Sequence, residues 1–363
     1  MTTLTEGQRI SVEGIVTKAN RVLYYINDGN TSYIISTSER LSLGEVVKVD
    51  GIVESVADQN GQRELRIKSD KVSSAPIAEA KQKSEEIKGK VLNNIKIPDL
   101  ELMVKDDITD ALKPEFREMA KYLLLAQRLN RFILLRFHGD ADGISAAFAL
   151  TKFLRCRAEQ QNAAIYNTRD AIRDLNTLNY EYAPLAVFVD FGASRESIEA
   201  LKLLHSAGVE IVIIDHHPPV DEISGFAIFL SPWQVNDDQI SSQYPAGYLA
   251  SEIARLAVED RLEEFESITR ISCAGDKSKI IAIGQEDVDK ALVLDFLAIY
   301  SGYGNNLDFY KNVLDNHELF KSILLQAKDK MKQIYEAAVK LMKKHSAVHL
   351  KMNTVIGNAS NRM

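Results

Sequence analysis

Apolar and polar residues alternate along the first 72 positions. Ile10-Ser-Val-Glu-Gly-Ile-Val, Val22-Leu-Tyr-Tyr-Ile, Ser32-Tyr-Ile-Ile-Ser, Val46-Val-Lys-Val-Asp-Gly-Ile-Val and Leu65-Arg-Ile-Lys-Ser carry the period of half-buried strands. Asn27-Asp-Gly-Asn and Asn60-Gly separate them with turn chemistry. Between the third and fourth strands lies a helix-like piece, Ser38-Glu-Arg-Leu-Ser. Five strands in so short a stretch predict a small closed barrel over residues 1–72.

The pattern then changes. Residues 73–100 are rich in Ala, Ser, Glu and Lys and end at Ile97-Pro98, so 73–113 reads as a linker with one solvated helix. An amphipathic helix is expected after Pro114, through Phe116, Met119, Ala120, Leu123 and Leu124 to Leu129. Beyond Asn130, apolar runs of strand length alternate with amphipathic stretches. Strand 132–137 leads to helix 143–155, strand 185–190 to helix 195–207, and strand 210–214 to a loop holding two histidines. Strands so uniformly apolar belong in a parallel sheet covered on both faces, and the expected fold class is α/β, a domain over 114–320. From Pro245 onward the chain reads as helical, ending in a Lys-rich helix near 321–345. Ala347-Val-His-Leu-Lys-Met-Asn-Thr-Val-Ile-Gly has strand character without a partner, so 321–363 reads as a helix and the start of a truncated further domain.

Length and composition narrow the class. At 363 residues, 45% apolar and 26% charged, the chain is a globular protein of two or three domains. It holds no apolar run of about 18 residues, so no membrane span is expected. The first residues lack the basic and apolar regions of a secretory signal. Cys156 and Cys273 both fall in stretches read as helical, so no disulfide framework is expected and a cytoplasmic location fits. A net charge of −7 excludes a broad basic surface; any nucleic-acid contact must be local.

Chemistry concentrates in four clusters, which are His138-Gly-Asp140-Ala-Asp142-Gly143, Val189-Asp190-Phe-Gly192, Asp215-His216-His217-Pro218 and Ala274-Gly275-Asp276. Three terminate expected strands and the fourth ends the helical run 264–273. In a parallel sheet such ends share one crevice. Carboxylates at that density repel unless cations neutralise them. Two divalent metals about 3.5–4 Å apart, sharing one carboxylate, satisfy such a set and leave positions for water and substrate.

The four motifs together resemble the DHH phosphoesterase superfamily, whose Asp-His-His stands here as Asp215-His216-His217. The resemblance covers about residues 131–300. It implies that His138, Asp140 and Asp190 ligate one metal, and that Asp142, Asp190, His216 and Asp276 ligate the second, with Asp190 bridging. It further implies that Asp215 orients a histidine, that His217 contacts the scissile phosphate, and that the two ions are Mn²⁺, with Mg²⁺ the alternative. The implied reaction is in-line attack of water on a phosphodiester, and the further domain would be the DHH-associated one. Lys277 and Lys279 stand beside Asp276 as added positive charge for the phosphate.

Pyrophosphatases of this superfamily carry a histidine four positions before the Asp-x-Asp, where this chain has Arg136, which disfavours pyrophosphate. The barrel, read as an oligonucleotide-binding (OB) type, shifts the expectation to polynucleotides, with Tyr24, Tyr25 and Tyr33 as stacking rings and Lys18 and Arg21 as phosphate contacts. Such a barrel before a DHH domain is similar to archaeal relatives of RecJ. The resemblance therefore implies an Mn²⁺-dependent exonuclease on single-stranded DNA or RNA, with GINS and the replicative helicase as further partners. The alternatives are a replisome scaffold with little nuclease activity and a hydrolase of short oligonucleotides or dinucleotides.

Overall fold

The structure, a computed structural model, describes residues 4–57, 61–258, 261–301 and 306–360 and, within these, the side chains of all but residues 77 and 344–360. The expected Asn60-Gly turn lies partly outside them. The first strands are β1 (Arg9–Asn20), β2 (Leu23–Asn27), β3 (Ser32–Ser36), β4 (Val46–Ala57) and β5 (Arg63–Ser74). They close a barrel in the order β1-β2-β3-β5-β4, with β1 antiparallel to both β2 and β4 and β3 parallel to β5. Alternate residues fill its interior, among them Val12, Val16, Ile26, Ile35, Val49 and Ile67. The helix expected between β3 and β4 does not form. That segment runs as irregular chain with bends and a turn, and Leu41 drops into the barrel core, an anchor that a free helix would have withdrawn.

The following segment is more than a solvated linker. α1 (Ile77–Asn93) sets Ile87 against Ile15 and Val46 of the barrel and Val91 against Ile95 and Leu129, so it braces the barrel. α2 (Asp107–Arg128) begins upstream of Pro114, which lies inside it. Asp106 caps it, accepting the Thr109 N–H at 2.9 Å, while Thr109 Oγ1 accepts the Asp106 N–H at 3.2 Å. That reciprocal pair outweighs the proline as a start signal, since Pro114 forfeits a single intrahelical bond. At the seam, Asn27 Nδ2 donates to the Arg128 carbonyl at 2.9 Å and Asn130 Nδ2 to Ser32 Oγ at 2.8 Å.

The second unit is a parallel sheet of β6 (Ile133–His138), β7 (Arg157–Gln161), β8 (Leu185–Val189), β9 (Glu210–Ile214) and β10 (Ile228–Leu230), ordered β10-β9-β8-β6-β7. Ile133, Leu135 and Phe137 face one layer, formed by α2, α3 (Ala141–Leu150), α6 (Ala246–Val258), α7 (Leu262–Gly275) and α8 (Gln285–Tyr300). Leu134, Ala186 and Phe188 face the other, formed by α4 (Thr168–Leu178) and α5 (Ile198–Ser206). Both faces are thus buried, as uniformly apolar strands require. Strand order reverses between β6 and β8, and a crevice opens there at the carboxyl ends.

Cys156 lies in irregular chain just before β7 rather than in a helix, because α3 already ends at Leu150; Cys273 is in α7, and both are free thiols. After α9 (Leu307–Asp315), α10 (His317–Ser360) continues through the segment expected as a strand. A lone strand leaves its ladder groups unpaired, whereas a helix pairs its own. Among the described residues, no helix is long and apolar enough to cross a membrane.

Candidate metal centre

Each strand end delivers one part of the centre. β6 ends at His138, and Asp140 caps α3 by accepting the Gly143 N–H at 2.9 Å. A Cβ on residue 143 would lie 2.3 Å from the His138 carbonyl oxygen, so glycine is what lets α3 start this close to β6. Asp142, in the first turn of α3, is fully buried. Its Oδ1 accepts the Gly247 N–H at 2.7 Å and Ser272 Oγ at 2.6 Å, and its Oδ2 accepts the Ala246 N–H at 2.8 Å. Asp190 follows β8 in the left-handed region, at φ 65°, with its own N–H held by the Ile214 carbonyl at 3.0 Å. Asp276 caps the end of α7.

After β9, Asp215 is buried. It accepts the Ala193 N–H at 3.1 Å, the His217 N–H at 3.1 Å and the His217 ring at Nδ1, 2.8 Å away. His217 is therefore held by one nitrogen with its side chain 52% exposed. His216 sits deeper. Its Nδ1 is 2.9 Å from the Ser242 carbonyl, which can only accept, so that nitrogen carries a proton. Nε2 then points to Asp276 at 3.0 Å, Asp190 Oδ1 at 3.4 Å and Asp142 Oδ2 at 3.7 Å.

Asp190 lies between two groups of donors. Its Oδ2 is 3.4 Å from His138 Nδ1, which is 2.7 Å from Asp140 Oδ2, while its Oδ1 faces His216. Ligand atoms of His138, Asp140 and Asp190 lie within 4.8 Å of one another, as do those of Asp142, His216 and Asp276, and those of Asp190, His216 and His217. Two buried atoms at the middle, His138 Nδ1 and Asp190 Oδ2, have no hydrogen-bond partner; the short approach of His138 to Asp140 is out of alignment for one. Orphaned donor atoms facing each other within a carboxylate and imidazole shell fit a divalent cation.

Proton affinities here reflect that crowding. Burial pushes the Asp142 carboxyl well up, and the Asp190 and Asp276 charges add to it. Asp190 is raised by burial and then by Asp140. Burial pulls the His138 imidazolium down, but Asp140 and Asp190 outweigh it and push its pKa up to about 10. His216 is likewise raised against its burial, through Asp190 and Asp276. Despite burial, His217 holds Asp215 below the usual carboxylate range, and Asp215 in turn raises His217.

The eight residues singled out in the four motifs thus converge. Lys277 and Lys279 lie exposed beside Asp276, and neither makes an ion pair among the described residues. In the barrel, Lys18 and Arg21 are exposed and Tyr25 is half-buried. Tyr24 and Tyr33 are 4% and 3% exposed and pack in the barrel core, so they offer no ring to a base. Sequence reasoning missed Asp295 of α8, which accepts the Ala141 N–H at 2.7 Å and whose burial raises its pKa to about 6. Its signal was a lone carboxylate in the apolar run Leu292-Val-Leu-Asp-Phe-Leu. Ser272 and Ser242 carried no such signal.

Residues 132–268 match the family model described as the DHH family, N-terminal domain. An uncharacterized protein of Methanocaldococcus jannaschii is 28% identical over 268 residues, which are 66% of this chain and 34% of that protein; the chain spans about a third of this relative's length. A structure described as the DHH domain of a member of the s1p family of ribosomal proteins has a TM-score of 0.63 and 24% identity, covering 72% of this chain and 71% of that one, a likeness of fold. The exonuclease RecJ bound to manganese has a TM-score of 0.44 and 17% identity, covering 67% of this chain and 70% of that one. The stretch that matches the DHH family model, residues 132–268, holds every residue of the centre except Asp276.

Proposed function

We propose that this chain is a metal-dependent phosphodiesterase that binds two divalent cations, Mn²⁺ above others, and removes nucleotides from single-stranded DNA or RNA. The match of residues 132–268 to the DHH family model supports metal-dependent phosphoester hydrolysis. The observation that carries the two-ion reading is the position of Asp190, with one oxygen toward His138 and Asp140 and the other toward His216. In this reading His138, Asp140 and Asp190 hold one cation and Asp142, Asp190, His216 and Asp276 the other. When bound, the cations supply positive charge to the phosphoryl oxygens and lower the pKa of water.

The chain's own residues do the rest. Ser242, through its carbonyl, fixes His216 with Nε2 toward the carboxylates. Asp215 holds His217 at Nδ1 and favours its protonated form, so Nε2 is presented outward as a donor to a phosphoryl oxygen where charge develops. Lys277 and Lys279 add mobile positive charge at the rim. Arg136 supports a diester rather than pyrophosphate, because its guanidinium is buried against Asp174 and Glu159 and is closed to ligands. Exposed Lys18, Arg21 and half-buried Tyr25 support a polynucleotide. The test is degradation of end-labelled single strands with Mn²⁺ and with chelator, for wild type and Asp190→Ala. Mononucleotide release that needs Mn²⁺ and Asp190 is expected; release insensitive to both refutes the proposal.

A further inference from the structure

At the other end of the sheet, where β6 and β7 begin, a cleft of about 590 Å³ separates the barrel from the α/β unit. Lys18 and Tyr25 line it from the barrel, and Arg131, Arg155, Arg157 and Glu181 from the α/β side. Four cations face one carboxylate there, on a chain whose net charge is −7. Charge of one sign concentrated in a concave, partly desolvated seam attracts the opposite sign.

Arg131 makes the cleft more than a basic patch. It is 8% exposed, its Nε donates to the Ala183 carbonyl at 2.6 Å, and its Nη1 pairs with Glu210 at 2.8 Å. Its Nη2 is buried and has no acceptor. A buried guanidinium nitrogen without a partner is costly, and a small shift of the side chain toward an anion held in the cleft would complete it. Arg157 shares its charge with Glu159 at 2.6 Å, whereas Lys18 and Arg155 have no carboxylate partner among the described residues. Lys18 Nζ stands 5.6 Å from the centroid of the Tyr25 ring, which puts a cation and an aromatic face side by side.

We propose that this seam is a second nucleotide-binding site, with Arg131, Arg155 and Lys18 holding phosphate and Tyr25 stacking on a base. The volume suits one nucleotide unit. Ile133 lines the cleft and His138 belongs to the metal centre; they lie at opposite ends of β6, about 16 Å apart at roughly 3.3 Å per residue. The site is therefore separate from the metal centre and does not depend on hydrolysis. The phosphate comes either from a free nucleotide or from a polynucleotide passing between the two units.

Binding is measured in chelator, by anisotropy of a labelled 20-nucleotide single strand and by calorimetry with ATP. Lys18→Glu/Arg155→Glu changes two exposed side chains that have no carboxylate partner among the described residues. It should weaken binding at least tenfold and lower the salt slope for the strand by about 1.4, two contacts at about 0.7 each. Lys202→Glu/Lys332→Glu, two exposed lysines elsewhere, should leave binding as in wild type and so separates a site from bulk charge. Tyr25→Ala should weaken binding without changing the slope. Mn²⁺ content of all these variants should match wild type. ATP binding lost in the double variant identifies a free nucleotide, and loss for the strand alone identifies a polynucleotide; either outcome supports the site. Wild-type affinity of Lys18→Glu/Arg155→Glu for both probes, or no binding of either by wild type, overturns it.

Discussion

Filling the proposed centre with Mn²⁺ at neutral pH should expel protons, because its imidazoles carry them in the metal-free chain. His138 has a pKa of about 10, set by Asp140 and Asp190 against the opposing effect of burial. A metal takes the neutral ring. At pH 7.5 the gap is about 2.5 units, or about 3.4 kcal/mol at 1.36 kcal/mol per unit. Apparent affinity at that site should then lie about 300-fold below its high-pH limit and rise about tenfold per pH unit. His216 is raised in the same direction, so a filled centre should release about two protons. Calorimetric titrations with Mn²⁺ at pH 6.5, 7.5 and 8.5, in two buffers of different ionisation enthalpy, count them directly. His138→Ala should remove one. The same linkage stabilises the metal-free fold, since a folded pKa above the unfolded 6.5 contributes fully below pH 6.5 and is lost as pH rises through about 10. Proton release near zero, with affinity flat from pH 6.5 to 8.5, would refute this account of the site.

Asp190→Ala should abolish binding of both ions and lower hydrolysis at least 10³-fold, whereas Asp142→Ala should spare the ion at His138 and Asp140; elemental analysis distinguishes them, and two retained ions in Asp190→Ala contradict the bridge. His216→Ala should lose metal affinity and recover partly in excess Mn²⁺, while His217→Ala should keep both ions and lose about 10²-fold in turnover; the reverse pattern would exchange their roles. Arg136→Met leaves Asp174, which is buried and also bonded to the Tyr166 hydroxyl, without its bidentate cation and with only Arg173 Nε, 3.8 Å away, in its place. It should cost about 3–5 kcal/mol in urea unfolding, and a loss under 1 kcal/mol would show that this ion pair contributes little.

The strands that position the centre were legible because β6, β8 and β9 are buried on both faces and read as apolar runs, unbroken in β8 and interrupted only by Arg136 and the terminal His138 in β6 and by Glu210 at the start of β9. β7 was not, since Arg157-Ala-Glu-Gln-Gln is a polar edge strand recognised only once β6 lies beside it. The side chains of the candidate centre announced themselves by type, His and Asp at strand ends. Their supports did not: the N–H groups of Ala246 and Gly247, the Ser242 carbonyl and Asp295 reach Asp142, His216 and Ala141 from more than twenty residues away. In the barrel, alternation held the answer for Tyr24 and Tyr33, which share faces with the buried Ile26 and Ile35, while Tyr25 takes the opposite face.

The left-handed backbone at Asp190 bears on how such a centre could be moved to another protein. An L-residue at φ 65° stores strain on the order of 1–3 kcal/mol, and here the β8–β9 ladder, through the Ile214 carbonyl, holds it in place. Grafting histidines and aspartates onto the strand ends of some other parallel sheet would reproduce the side chains and omit this turn. The shared carboxylate would then relax into extended backbone and swing out of reach of one of its two groups. The portable unit is the strand pair with its turn, and the motif letters alone are too small a piece to transplant.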